Sequence, residues 1–338
     1  MASKKQTKPA SSQAPQTGGT VTTFMDKHFR HFNARETLDA AKAYKAHIDQ
    51  GGKMFLAMAG AMSTGELGII LARMIREDKI HAISCTAANL EEDVYNLVGR
   101  KDYMHIPKYY QLAPDEESKI LESAYARVTD TAIPDKTFKL VDEFFLSLCQ
   151  KAQAKGEKYF PYEYFYQMIE SGVLKEHYQI PPEHSWILAA YEKKLPIYSP
   201  GWEDCSTSNS FVAWKMQGKI SYDVIRPGLE QMEYLINWYV ENDKQSSIGF
   251  FQIGGGIAGD FSICSVPILA IDFPEKKSRL WGYFAQISDS VTSYGSYSGA
   301  VPNEKISWWK LDANTPRFMI NSDATIVAPL IFSYVLGD

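Results

Sequence analysis

Apolar positions along the chain follow two periods in turn. Residues 53–60 (Lys-Met-Phe-Leu-Ala-Met-Ala-Gly) form a nearly unbroken apolar run of strand length, as expected for a strand buried on both faces. Residues 65–77 then show helical spacing, 80–86 form a second apolar run, and 90–98 return to the helical period. Strand and helix in alternation predict a parallel sheet with helices packed on it. Further helices are predicted over 116–129, 135–154, 161–170, 184–193, 206–217 and 224–242. A short strand is expected at 196–199 and a longer one at 247–253, ending in Gly254-Gly255-Gly256. Residues 266–273, 279–287 and 317–320 read as strands, and 323–335 closes the chain as a helix. The expected fold class is α/β: a single large doubly wound, mostly parallel, Rossmann-like sheet with helices on both faces. Ligands on such a sheet sit at the C-terminal ends of the strands.

Residues 1–23 are too rich in Lys, Ser, Gln, Pro and Gly to offset the entropy of ordering, so a disordered tail is expected ahead of one domain over 24–338. Asn33-Ala-Arg-Glu36 has the form of a capping box, followed by a helix to Asp49 and a Gly51-Gly52 stop.

A chain of 338 residues, 45% of them hydrophobic, can bury a large core. The formal net charge of −5 and scattered Lys and Arg give no basic patch for nucleic acid. Cys85, Cys149, Cys205 and Cys264 are far apart and form no CxxC pair, which argues against a zinc cluster or disulfide framework and for a reducing cytoplasm. His28, His31 and His47 have no acid or thiol to complete a metal site. Neither a membrane span nor a signal peptide is predicted.

Candidate chemistry concentrates in Gly295-Ser-Tyr-Ser-Gly-Ala-Val-Pro-Asn-Glu-Lys-Ile-Ser-Trp-Trp-Lys310. A lysine amine attacks carbon only when unprotonated, which burial against apolar walls such as Trp308 and Trp309 would favour. Glu304 could pair with an alkylammonium and Trp308 could hold its carbons or its cation. Spacing alone favours the plainer reading of a solvated lysine, core tryptophans and a surface turn. Gly254-Gly-Gly-Ile-Ala-Gly259 satisfies GxGxxG after a strand, although Asp260 would repel a pyrophosphate at that helix start.

Residues 295–310 resemble the active-site segment of deoxyhypusine synthases, Gly-Ser-x-Ser-Gly-Ala-x-Pro-x-Glu-x-x-Ser-Trp-x-Lys. The resemblance implies that Lys310 is the catalytic nucleophile, with Glu304 and Trp308 at the amine substrate. Thr86-Ala-Ala-Asn-Leu-Glu-Glu-Asp93 is similar to the family's Thr-Ala-Gly-Gly-Val-Glu-Glu-Asp, which implies NAD contacts from Thr86, Ala87, Ala88 and Glu92 and a substrate contact from Glu91. Ser63-Thr64-Gly65, Asp204 after Tyr198-Ser-Pro200, Gly255 in the triple glycine, and Asp323-Ala324 also match family segments, and the resemblance implies that they meet NAD. Where the family places acids or a histidine at the polyamine, this chain has Asn209, Tyr297, Tyr294 and Asp260. Ser288-Asp289-Ser290 replaces the family's Asn-Thr-Ala.

What the resemblance implies is NAD-dependent aminobutyl transfer from a polyamine such as spermidine, through a Schiff base on Lys310. The acceptor would be a protein lysine or a free diamine, and the altered pocket favours a free amine. An NAD-dependent amine oxidoreductase or a catalytically silent polyamine-binding or NAD-binding relative are the alternatives. Homotetramers with active sites shared between paired subunits are also implied.

Overall fold

The structure, a computed structural model, describes residues 19–292 and 295–338. Tyr294 and residues 1–18 of the expected tail lie outside these residues. Residues 20–23, assigned to the tail from composition, instead begin helix α1 (Thr20–His28). The Thr22 amide and hydroxyl both donate to the Asp338 carbonyl, which gives this polar stretch the anchor its composition does not reveal.

Helix α2 (Phe32–Asp49) leads into β1 (Lys53–Met58), α3 (Gly68–Arg76), β2 (Ala82–Cys85) and α4 (Ala87–Gly99). A peripheral section contains β3 (Met104–His105), α5 (Pro114–Glu122), β4 (Tyr125–Val128), β5 (Thr131–Pro134), α6 (Asp135–Lys155) and α7 (Pro161–Glu170). Then come α8 (Trp186–Glu192), β6 (Ile197–Tyr198), α9 (Ser206–Met216), α10 (Gly228–Asp243) and β7 (Ile248–Ile253). The chain closes with α11 (Gly256–Ile263), α12 (Ser265–Asp272), β8 (Tyr283–Ile287), α13 (Glu304–Ser307), β9 (Arg317–Ile320) and α14 (Ala324–Leu336).

The main sheet has six strands in the order β6-β2-β1-β7-β8-β9, and every neighbouring pair is parallel. The chain moves outward from β1 to β6, returns to lay β7 beside β1, and moves outward again to β9. Connections after β1 and β7 therefore leave the sheet in opposite directions, opening a crevice at their C-terminal ends. Alternate residues of the central strands enter two separate cores. Met54, Leu56 and Met58 join Phe251 and Ile253 on the face covered by α2, α3 and α14, while Phe55 and Ala57 join Ile248 and Phe250 on the face covered by α10, α11 and α12. Both faces are buried, so the doubly wound expectation holds.

Three local expectations are corrected. Residues 266–273 form α12, because a short apolar run does not distinguish strand from helix and Pro267 falls in the first turn, where its missing N–H is tolerated. The helix predicted to run to 129 ends at Glu122. Tyr125–Val128 and Thr131–Pro134 form a hairpin beside β3, with Thr129 in the left-handed region at φ 51°. The Asn33–Glu36 capping box is absent. Helix α2 starts at Phe32 and both side chains serve the edge strand instead: Asn33 Nδ2 donates to the Asn321 carbonyl at 2.9 Å, and Glu36 Oε1 accepts the Met319 amide at 3.1 Å. An edge strand has unpaired backbone groups, and these two side chains satisfy some of them.

Candidate active site

The segment after β8 folds back over α11. Ser298 Oγ accepts the Gly256 amide at 3.1 Å, and Gln286 Nε2 donates to the Ser298 carbonyl at 2.6 Å. A Cβ on Gly255 would lie 2.0 Å from Ser298 Oγ, so only glycine permits this close approach. Tyr297 is locked by its hydroxyl, which donates to Gln252 Oε1 of β7 at 2.9 Å.

Helix α13 is a single turn that ends in a Schellman motif. The Lys310 amide donates to the Lys305 carbonyl at 3.1 Å and the Trp309 amide to the Ile306 carbonyl at 3.2 Å, with Trp309 in the left-handed region at φ 57°. This turn carries Lys305 and Lys310 into one pocket of about 280 Å³, which Asp260, Cys264, Tyr297, Glu304 and Trp308 also line. Lys310 is 6% exposed, and its Nζ lies 3.1 Å from Asp260 Oδ1 and 5.3 Å from the centre of the Tyr297 ring. The structure thus brings together Lys310, Asp260, Tyr297, Glu304 and Trp308 from the residues singled out in the sequence. Both tryptophans are largely exposed, but the Trp308 ring lies 5.9 Å from Lys310 Nζ, so Trp308 and Tyr297 both wall the lysine and Trp309 does not line its pocket.

Sequence reasoning missed Lys305. It is 3% exposed, its Nζ has no hydrogen-bond partner among the described residues, and that nitrogen faces the Phe284 ring at 4.9 Å and the Tyr297 ring at 5.0 Å. Burial, followed by the charge of Lys310, pushes its pKa down to about 8. Only its position five residues before Lys310 hinted at a shared site, and that spacing means nothing until the Schellman turn is known.

A second cleft of about 330 Å³ lies at the crevice between β1 and β7. Ala59, Gly60, Met62, Ile253, Gly254, Ser288, Asp289, Ser322, Asp323 and Ala324 line it. Asp323 and Ala324 stand where a strand-end ligand is expected; Asp323 Oδ1 also caps α14 by accepting the Thr325 amide at 2.8 Å. Gly254, at φ 72°, presents bare backbone to the cleft. Gly255, expected to meet NAD, is packed on the side its Cβ would occupy by Ser298 and is not among the lining residues of the cleft. The features that fit a dinucleotide are the bare backbone of Gly254 and the rim carboxylates of Asp289 and Asp323, suited to ribose hydroxyls.

The remaining predicted residues border the first half of the sheet. Thr86 Oγ1 donates to the Gly60 carbonyl at 2.7 Å, which places Thr86, Ala87 and Ala88 next to the cleft but not among its lining residues. Ser63, expected to meet NAD, is hydrogen-bonded within the chain. Its amide donates to Asn89 Oδ1, its hydroxyl donates to the Asn89 carbonyl and accepts Trp186 Nε1, and its carbonyl accepts Asn96 Nδ2, so its polar atoms are engaged internally.

The acids of α4 likewise turn inward. Glu91 accepts the Ser206 and Thr207 amides at 3.0 and 2.8 Å, capping α9, and Glu92 accepts the Thr64 amide at 3.2 Å. Asp93 accepts the Ser185 hydroxyl at 2.5 Å and the Ile187 amide at 3.1 Å, capping α8. Burial pushes Glu92 up to about 8 and Asp93 up to about 6. Glu91 therefore stands away from the Lys310 pocket, as do Asn209 and Asp204, both exposed near the start of α9.

The family model described as deoxyhypusine synthase matches residues 23–335. A deoxyhypusine synthase-like protein from a Cyanothece strain is 28% identical over 331 residues, covering 94% of this chain and 79% of that protein. A deoxyhypusine synthase-like protein from Caulobacter vibrioides is 27% identical over 319 residues, covering 89% and 79% of the two chains. The crystal structure of a protein from Entamoeba histolytica described as a deoxyhypusine synthase superposes with a TM-score of 0.55 at 14% identity, covering 96% of each chain, and shares the fold.

Proposed function

The chain belongs to the deoxyhypusine synthase family, and we propose that it transfers a 4-aminobutyl group from a polyamine such as spermidine to an acceptor amine, with Lys310 as covalent carrier and NAD as cofactor. One observation carries this reading: a buried Lys310 amine, held by Asp260 and facing the Tyr297 ring, in a pocket that Glu304 and Trp308 also line. Bound in the cleft between β1 and β7, NAD would accept hydride from the polyamine's secondary amine and later return it.

The chain's own residues do the rest. Glu304 binds an ammonium group of the substrate, joined by Asp260 only once Lys310 has lost its proton, Trp308 covers the substrate's carbons, and Tyr297 walls the pocket against water. Unprotonated Lys310 attacks the imine carbon, the leaving amine departs, and a lysine Schiff base of the aminobutyl group remains. An acceptor amine then displaces Lys310 by the same route in reverse. Asp260 is already paired with Lys310, so the pocket offers few free carboxylates to a polycation. That supports a small free diamine as acceptor; a protein lysine is the alternative.

In one chain, Glu91, Asp204 and Asn209 line neither the Lys310 pocket nor the cleft. A site shared across paired subunits of a homotetramer would bring the exposed Asp204 and Asn209 to a neighbour's pocket, and the exposed Ile257, Trp308 and Trp309 are apolar surface for such pairing.

The test is mass spectrometry of products after incubation with NAD and isotopically labelled spermidine and putrescine, singly and together. A labelled aminobutyl group on putrescine is expected from wild type and absent with Lys310→Ala. Stoichiometric release of NADH with no transfer product would replace this reading with that of an amine oxidoreductase.

A further inference from the structure

A Schellman turn ordinarily places apolar side chains at the two positions that its longer hydrogen bond joins. Here those positions are Lys305 and Lys310, linked through the Lys310 amide and the Lys305 carbonyl at 3.1 Å. The two lysines are treated differently by their surroundings. Lys310 has a carboxylate, Asp260, at 3.1 Å. Lys305 Nζ has no acceptor among the described residues and lies against two aromatic faces, so its protonated form relies on ring contacts and on the charges of Glu304 and Asp260, neither of which bonds to it. Both amines contact the same Tyr297 ring and line the same pocket.

We propose that Lys305 is a second catalytic lysine, a proton acceptor and donor that takes a proton from Lys310 and delivers it to the leaving amine. This rests on the reading of Lys310 as the nucleophile. In the first step the Lys305 amine takes a proton from the Lys310 ammonium, leaving Lys310 neutral and Lys305 charged. Lys310 nitrogen then bonds to the imine carbon of the oxidised substrate. As the carbon–nitrogen bond to the leaving amine breaks, Lys305 returns its proton to that amine, which departs as an ammonium, and the Schiff base stays on Lys310. Charge and protons balance, and Lys305 ends neutral, as it began. The depressed basicity of Lys305 suits this task, since an amine that titrates near the working pH can both take and release a proton.

The test needs no NAD. Purified wild type, Lys305→Met and Lys305→Arg are incubated with butanal and cyanoborohydride between pH 6 and 10, and the rate of alkylation at Lys310 is read by peptide mass spectrometry. Circular dichroism and thermal unfolding check that each variant is folded. Wild type is expected to show a rising limb centred near the Lys305 titration, pushed to about 8. Both variants are expected to lose that limb and to slow roughly tenfold or more in the same range. Arginine keeps the charge but does not titrate, so an arginine variant with the wild-type rate and profile would reduce Lys305 to an electrostatic neighbour and overturn the proposal. A methionine variant with the wild-type profile would overturn it as well. Wild type with no alkylation at Lys310 would instead refute the nucleophile reading, and the shuttle with it.

Discussion

Lys310 Nζ lies 3.1 Å from Asp260 Oδ1, and this ion pair joins the end of the α13 turn to the middle of helix α11. Replacing Asp260 with Asn removes the carboxylate that holds the Lys310 nitrogen, and the freed amine is expected to be alkylated several-fold faster at pH 7. The same change is also expected to weaken polyamine binding by removing an anionic partner. Alkylation rates and KM, measured on the same variant, separate the two effects.

Lys305 makes the opposite trade. Its amine is buried with no acceptor among the described residues, and burial pushes its pKa down to about 8 from the ordinary 10.5. Between pH 8 and 10.5 the unfolded chain binds more protons, so stability rises with pH across that window and the penalty is fully present below it. Lys305→Met is expected to be more stable than wild type at pH 7 by roughly 1–3 kcal/mol, with the difference fading toward pH 10.5. Denaturant titrations at pH 7 and pH 10 test this.

Glu92 gives a pH dependence of the other sense. Burial raises its carboxyl to about 8, while the unfolded chain titrates at its ordinary 4.5, so the folded state holds the extra proton between those values. Stability falls as pH rises through that window and is flat above it. Glu92→Gln keeps an acceptor for the Thr64 amide and is expected to exceed wild type by roughly 2–4 kcal/mol at pH 9, with no difference below pH 4.

Gly255→Ala tests the contact between the glycine turn and the lysine loop. Its φ of −162° is extended backbone that any residue adopts, so the effect is steric. The new Cβ would meet Ser298 Oγ at 2.0 Å, Cβ at 2.5 Å and Cα at 2.7 Å. A destabilisation of about 1–3 kcal/mol is expected, together with loss of Lys310 alkylation. Adding Ser298→Ala is not expected to rescue it, because the clash extends to Cβ and Cα.

The strand and helix order around β1, β2 and β7 was legible in the sequence because those strands are buried on both faces and appear as continuous apolar runs. The β4–β5 hairpin was hidden because Thr129-Asp130 is not a common hairpin turn pair, although Thr129 adopts a left-handed backbone. At the site, resemblance led to Lys310, Asp260, Tyr297, Glu304 and Trp308, and the structure places them together. It also led to Ser63, Glu91 and Gly255, whose polar atoms or open space are taken by Asn89, by the start of α9 and by Ser298. A motif preserves a residue type for its structural duties as readily as for ligand contact. Lys305 was not legible at all, because its burial depends on Phe284 of β8 and Tyr297 of the returning loop.

The central claim is that Lys310 carries the aminobutyl group. Borohydride is added during turnover with NAD and labelled spermidine, and the modified peptide is sequenced by mass spectrometry. Label as a 4-aminobutyl adduct on Lys310 is the predicted result, and label on a different lysine, or undiminished product formation by Lys310→Ala, would contradict the claim.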